Sequence, residues 1–286
     1  MSLPALTNHP FTLKGCDATV ILVHGLGGGT YELQRVGEAL HERLGYTVHA
    51  LHLPGHDVVQ TWMPPSTHAQ WTAAIHAAIH RALTAVPAGP VHVVGFSTGA
   101  LAALRVAEES TWPGRLVLLA PLVRVYRPRV SPLPTEKLLS AFRGLRQVPR
   151  RPPPLRDKAL RKAVTACLPF RTMNLAAAHS AVELAERTMR DLARVTLPTL
   201  IVQGDLDSVI DRTGADDIAA GLRCEHRVEH LPDSDHLVTL DRQGGRVIDV
   251  VVDFLSSPST EALHDAGEGD DAGCHERLGG SHGKLP

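Results

Sequence analysis

Ser97 is where this sequence can begin to do chemistry. It sits at the centre of Gly95-Phe96-Ser97-Thr98-Gly99. Val91-His92-Val93-Val94 before it reads as a buried strand, and Ala100–Ala107 after it reads as a helix. A strand that turns at once into a helix brings its backbone together on both sides of the turn. A Cβ at either flank would clash, which is why glycines stand there. The serine is then held at the apex, with the helix N-terminus behind it offering N–H groups and partial positive charge to a developing oxyanion. Glycine-serine turns of this length are also common as idle surface loops. The strand before and the helix after are what make this one a nucleophile elbow.

A serine hydroxyl is a weak nucleophile until a base takes its proton, and the base must itself be oriented. Two later loops supply candidates. Gln203-Gly204-Asp205-Leu206-Asp207-Ser208 follows a strand and precedes a helix, and Leu231-Pro232-Asp233-Ser234-Asp235-His236 follows the next strand. His236 is the candidate base: a lone loop histidine is more often idle, but order, loop placement and elbow agree here. Asp205, Asp207 and Asp211 all lie close to one another, so proximity leaves the orienting acid open among them.

The elements that must carry these residues alternate. Thr19–Val23 reads as a central strand, Tyr31–Leu44 as an amphipathic helix stopped by Gly45, 46–53 as a strand, and 71–83 as an alanine-rich helix. Residues 115–121 form another buried strand, and the rhythm resumes with strands at 199–203 and 226–231 and helices at 215–222 and 247–255. Such alternation predicts a mostly parallel sheet with helices on both faces, binding ligands at the carboxyl ends of its strands. His24-Gly25-Leu26 and Ser97 both fall at such ends. The glycine-rich run from Gly25 to Gly29 can fold tightly around a ligand, but no Gly-Lys-Ser/Thr follows to make it a phosphate loop.

Residues 122–194 interrupt the rhythm with eight prolines and helical pieces at 136–142, 157–167 and 175–190. They carry 16 lysines and arginines against 5 acidic residues, in a chain of net charge −1. The expected organisation is a core of residues 1–121 and 195–257, a basic helical cap insertion at 122–194, and a tail at 258–286 too poor in apolar groups to order.

The chain has 286 residues, 43% of them hydrophobic, which suits one globular domain with an insertion. It shows no membrane-length apolar run and no signal peptide, and its four cysteines lie far apart. The expected setting is therefore the cytoplasm, with free thiols. The 17 histidines lack zinc-ligand spacing, so no metal is expected.

Taken together, the segments Val23–Gly28, Gly45–Val48, Pro54-Gly55-His56-Asp57, Gly95–Gly99, Pro198–Asp207 and Ser234–Asp241 resemble those of α/β-hydrolase-fold serine esterases, above all capped bacterial carboxylesterases akin to monoacylglycerol lipases. The resemblance covers roughly 18–121 and 196–256 and fades across the basic insertion. It implies backbone N–H groups of Leu26 and Thr98 as oxyanion donors. It also selects Asp207, three residues after Gly204 and three before Ile210. Loop depth favours Asp207 too, which leaves Asp205 as an expected loop cap bonding nearby N–H groups. The function implied is a serine carboxylesterase for small to medium acyl esters, using Ser97, His236 and Asp207 without a cofactor. A thioesterase or acyltransferase could use the same triad, and a non-catalytic binding member of the fold is the rival from another class. The expected partner is a small ester, with no nucleic acid, and with transient contact to anionic surfaces through the basic segment.

Overall fold

The computed structural model describes residues 5–57, 59–85, 89–125 and 146–257. Its strands are β1 (Phe11–Leu13), β2 (Cys16–Val23), β3 (Tyr46–Leu51), β4 (Val91–Phe96), β5 (Leu116–Leu119), β6 (Gln147–Pro149), β7 (Thr172–Asn174), β8 (Thr199–Gly204) and β9 (His226–Leu231). The helices are α1 (Gln34–Leu44), α2 (His68–Ala85), α3 (Thr98–Glu109), α4 (Lys158–Cys167), α5 (Leu175–Asp191), α6 (Gly214–Gly221) and α7 (Gly244–Ser256). The described residues through Leu255 belong to one compact unit. The helix expected at 136–142 and the tail expected from 258 onward both lie outside the described residues.

Seven strands form one sheet in the order β1-β3-β2-β4-β5-β8-β9, parallel throughout except for β1, which runs antiparallel to β3. Helices cover both faces, as the alternating pattern requires. The chain leaves β2 toward β3 on one side and returns to β4 on the other, so the strand order reverses between β2 and β4. That switch opens a crevice at their carboxyl ends, and His24–Leu26 and Ser97 sit at its two sides.

Burial explains the long apolar runs. Every residue of β4, β5 and β8 is buried, as expected for strands covered on both faces. The helix behind Ser97, α3, is buried along almost its whole length, and its run Ala100–Ala103 lets it lie close to the sheet. Trp71 of α2 and Phe96 of β4 are among the largest side chains fully withdrawn from water.

Three features depart from the sequence reading. First, β1 is only three residues long, too short to show a period. Second, α1 begins at Gln34, not Tyr31; Thr30–Glu32 forms a separate 3₁₀ turn, and this turns Glu32 inward. Third, the basic segment is not purely helical. Its β6 and β7 pair antiparallel as a separate ribbon, with Gln147 opposite Asn174. The ribbon is fastened to a distant loop, since the Gln147 and Asn174 side-chain amides both donate to the Met63 carbonyl. Its last helix, α5, packs on α2 and α3, and 146–194 therefore belongs to the same compact unit as the sheet.

Candidate active site

The turn at Ser97 is strained. Ser97 adopts φ 53°, ψ −115°, a region that costs a non-glycine residue on the order of 1–3 kcal/mol. The flanking glycines make the turn fit. A Cβ on Gly95 would lie 2.5 Å from the Ala100 Cα, and one on Gly99 would run into the carbonyl oxygens of Val23 and His24. The Ser97 N–H donates to the Leu119 carbonyl, which pins the apex to β5.

Ser97 Oγ lies 3.0 Å from His236 Nε2, and His236 Nδ1 lies 2.8 Å from Asp207 Oδ2. All three residues are buried, with only 7% of Ser97 and 6% of His236 exposed. Asp207 divides its carboxylate. Oδ2 meets the imidazole, while Oδ1 accepts the N–H groups of Val209 and Ile210 at 2.8 and 2.9 Å. Burial pushes Asp207 toward its neutral form, but His236 and these two amides outweigh it and hold the carboxyl below its usual range. Burial likewise pushes His236 down. The charge and hydrogen bond of Asp207, helped by Glu32 and Asp235, win and raise it above an ordinary histidine.

Asp205 takes a different part from the one expected of it. Its N–H continues the sheet ladder to the Leu231 carbonyl, so it is still leaving β8. Its carboxylate faces His230 Nδ1 at 2.9 Å, with Asp216 on the other ring nitrogen at 3.2 Å. Capping of loop amides falls to Asp207 instead.

Across the crevice, the glycine loop is held from several directions. The Gly25 N–H donates to Glu32 Oε2 at 2.8 Å, and the Gly27 N–H to His56 Nε2 at 2.8 Å. The Arg150 guanidinium, just beyond β6, donates to the Gly27 carbonyl. His24 Nε2 accepts the Leu53 N–H at 3.0 Å, which leaves its Nδ1–H for the Gly25 carbonyl at 2.9 Å. Both histidines therefore act as neutral acceptors. Burial drives His56 down to about 4 and His24 well below its ordinary value, with each other's proximity adding to the effect on His24. His24, His52 and His56 cluster edge to face, but the acceptor nitrogens of His24 and His56 are already committed to N–H donors. Among the described residues no group of three histidine, cysteine or acidic side chains could hold a metal ion.

Thr98 directly follows Ser97, and Leu26 lies in the glycine loop across the crevice. Thr98 is the first residue of α3, so its N–H has no carbonyl partner within the helix. Leu26 lies between the anchored amides of Gly25 and Gly27, and a Cβ on Gly25 would come 3.2 Å from the Ser97 Cβ.

Several residues around the site escaped the sequence reading. Asp235 Oδ1 accepts from the Ser208 N–H and hydroxyl and from the His236 N–H. Asp241 accepts the Asp235 N–H on one oxygen and the Arg156 and Asp157 N–H groups on the other. These aspartates tie the acid loop, the histidine loop and the basic segment together. Glu32, His56 and Arg150 escaped as well. The only signal for any of them is that His56, Asp235 and Asp241 fall inside segments that match the esterases.

Comparisons with known proteins give the family and the fold. The Hydrolase_4 family model, described as Serine aminopeptidase, S33, matches residues 15–243. A carboxylesterase of Bacillus subtilis (strain 168) is 23% identical over 254 residues, covering 88% of this chain and 98% of that protein. Among solved structures, one of the metagenome-derived lipolytic enzymes LipS and LipT superposes with TM-score 0.73 at 21% identity, over 89% of this chain and 99% of that one. The monoacylglycerol lipase of Paleococcus ferrophilus superposes with TM-score 0.71 at 19% identity, over 86% and 97%. At these identities the structural likenesses establish the α/β-hydrolase fold.

Proposed function

Starting from the fact that the chain belongs to the Hydrolase_4 family of serine hydrolases, we propose that it is a serine carboxylesterase working through Ser97, His236 and Asp207. One observation carries the reading: an unbroken hydrogen-bond chain runs from the Ser97 hydroxyl through both nitrogens of His236 to Asp207. It starts at a strained turn and ends on a carboxylate that two further amides hold in place.

In this reading His236 Nε2 takes the Ser97 proton as Oγ bonds to the ester carbonyl carbon. Negative charge collects on the carbonyl oxygen, facing the N–H groups of Leu26 and Thr98. The tetrahedral centre collapses, the alcohol leaves with the proton from His236, and an acyl-serine remains. Water then attacks, giving its proton to the same imidazole, and the acid leaves as Ser97 regains its hydrogen. Asp207 keeps the Nδ1–H tautomer and stabilises the imidazolium throughout.

The family description names an aminopeptidase, which must recognise a free α-ammonium group. Such recognition calls for carboxylates at the rim. Beside the glycine loop stands the Arg150 guanidinium, within a strongly basic segment, while the Glu32 carboxylate there is buried and already bonded to the Gly25 N–H. This favours an ester over an amine-bearing substrate, in line with the carboxylesterase and lipase relatives.

The test is Ser97→Ala. It should abolish hydrolysis of p-nitrophenyl esters and labelling by a fluorophosphonate probe, without lowering Tm. Retained turnover would refute the assignment, and absence of labelling in the unmodified protein would favour a binding role. Chain-length preference follows from a p-nitrophenyl ester series, and products formed with added alcohols separate hydrolysis from acyl transfer.

A further inference from the structure

Glu32 is a buried ionisable residue to which the steps above give no part. It is 4% exposed and sits in the 3₁₀ turn that replaces the expected start of α1. Its carboxylate lies under the glycine loop. Oε2 accepts the Gly25 N–H at 2.8 Å, and Oε1 accepts from the Tyr31 hydroxyl at 3.4 Å. A side chain on Gly28 would collide with it. The Thr239 hydroxyl, three residues after His236, donates to the Glu32 carbonyl and fastens the turn from below.

The bonds around Leu26 set the direction of its N–H. A trans peptide holds its C=O and N–H on opposite sides. The Gly25 carbonyl accepts from the Gly28 N–H at 3.1 Å and from His24 Nδ1 at 2.9 Å. The Leu26 N–H, in the same peptide plane, must therefore point away from those donors. Glu32 fixes the peptide before this plane through the Gly25 N–H, as His56 fixes the one after it through the Gly27 N–H.

We propose that Glu32 is a positioning residue: by holding the Gly25 N–H it keeps the Leu26 N–H aimed at the oxyanion formed on Ser97. The inference rests on the serine esterase reading above. Three groups face the Glu32 carboxyl: Arg150 from beyond β6, His236 from the loop after β9, and the adjacent Tyr31. Burial pushes it up to about 7, against the pull of the Gly25 N–H, Arg150 and His236. His236 in turn faces Asp207, Glu32 and Asp235, so the Glu32 charge helps the imidazole keep its proton.

The experiment compares Glu32→Ala and Glu32→Gln with the unmodified enzyme and with Ser97→Ala, measuring kcat, KM, Tm and the pH profile on one p-nitrophenyl ester. Glu32→Ala should lower kcat about 100-fold, the scale of losing one oxyanion donor, and leave KM within about threefold. Glu32→Gln keeps an oxygen for the Gly25 N–H and should restore all but about tenfold of that loss. Because it removes a negative charge near His236, it should also move the acid limb of kcat/KM to lower pH. A folded Glu32→Ala enzyme with kcat within twofold of the original overturns the proposal, as does a loss confined to KM. If Glu32→Ala fails to fold, Glu32→Asp decides: its shortened carboxylate loses reach to the Gly25 N–H, and a kcat within twofold of the original, or a loss confined to KM, overturns the proposal. Turnover by Ser97→Ala would instead sink the serine reading itself, whereas a dead Ser97→Ala beside a fully active Glu32→Ala removes only this inference.

Discussion

Asp235 accepts both the N–H and the hydroxyl of Ser208, at 2.9 and 2.8 Å. Ser208 follows Asp207 and Asp235 precedes His236, so this contact joins the acid loop to the histidine loop one residue away from the pair they carry. The same oxygen also accepts the His236 N–H at 2.8 Å. Asp235→Ala strands three donors, each costing about 1–3 kcal/mol if left unsatisfied. The expected result is a fall of at least several degrees in Tm and a 10- to 100-fold loss of kcat. Ser208→Ala removes only the hydroxyl, and should cost about 1 kcal/mol with kcat within a few-fold. Chemical denaturation alongside steady-state kinetics would check both.

Asp207 and Asp205 should separate cleanly. Asp207→Asn puts an amide against His236 Nδ1 and favours the wrong tautomer, so kcat should drop by about 10⁴, as in other serine triads. Asp205→Asn loses a half-exposed pairing with His230, which on the scale of surface ion pairs contributes about 1 kcal/mol at most, and kcat should hardly change. A dead Asp205→Asn enzyme would overturn the assignment of the acid.

The acid limb of activity should lie above the ordinary histidine value of about 6.5, because His236 is held up by Asp207, Glu32 and Asp235 against the pull of burial. His236 must be neutral to accept the Ser97 proton, so kcat/KM should fall as pH drops through that raised value. A limb well below 6.5 would contradict the geometry.

Stability should follow a second histidine. His56 is held neutral, with its folded value depressed to about 4 by burial. In the unfolded chain it titrates near 6.5. Its contribution is therefore complete above about 6.5 and is lost as pH falls toward 4, at up to about 1.4 kcal/mol per pH unit. His56→Gln keeps an oxygen for the Gly27 N–H but cannot take up the proton. Its stability, followed by urea midpoints from pH 7 to 4, should fall less steeply than that of the unmodified protein. Parallel slopes would rule His56 out as the source.

The basic segment offers a test of substrate charge. Arg146, Arg151 and Arg171 are exposed around the β6–β7 ribbon, and Arg150 reaches the glycine loop. If they steer substrates, kcat/KM for anionic esters should fall steeply with added salt, since exposed charges are screened beyond ~8–10 Å at physiological ionic strength. Neutral esters should barely respond. Equal salt responses would leave the charge as a solvated surface.

The sequence by itself determined what local sterics and periodicity decide. The β-branched runs at Val91–Val94 and Thr19–Val23 had to be buried strands, and Gly95 and Gly99 had to flank a crowded turn. His236 could be placed because order and loop position carry that information along the chain. Only the tertiary structure decided the rest, because those contacts join residues far apart in sequence. Glu32 lies on what periodicity reads as a helix, where a carboxylate belongs in water; the 3₁₀ turn and the glycine loop over it make it a buried acceptor instead. Asp205 looks like a loop cap until β9 brings His230 to it. The β6–β7 ribbon is invisible without Met63, some 84 residues before Gln147, since three-residue strands have no period of their own. Asp235 and Ser208 are 27 residues apart, and they meet because β8 and β9 are neighbours in the sheet. Hydrogen bonds of this kind depend on where two strands end, and no pattern within either strand encodes that.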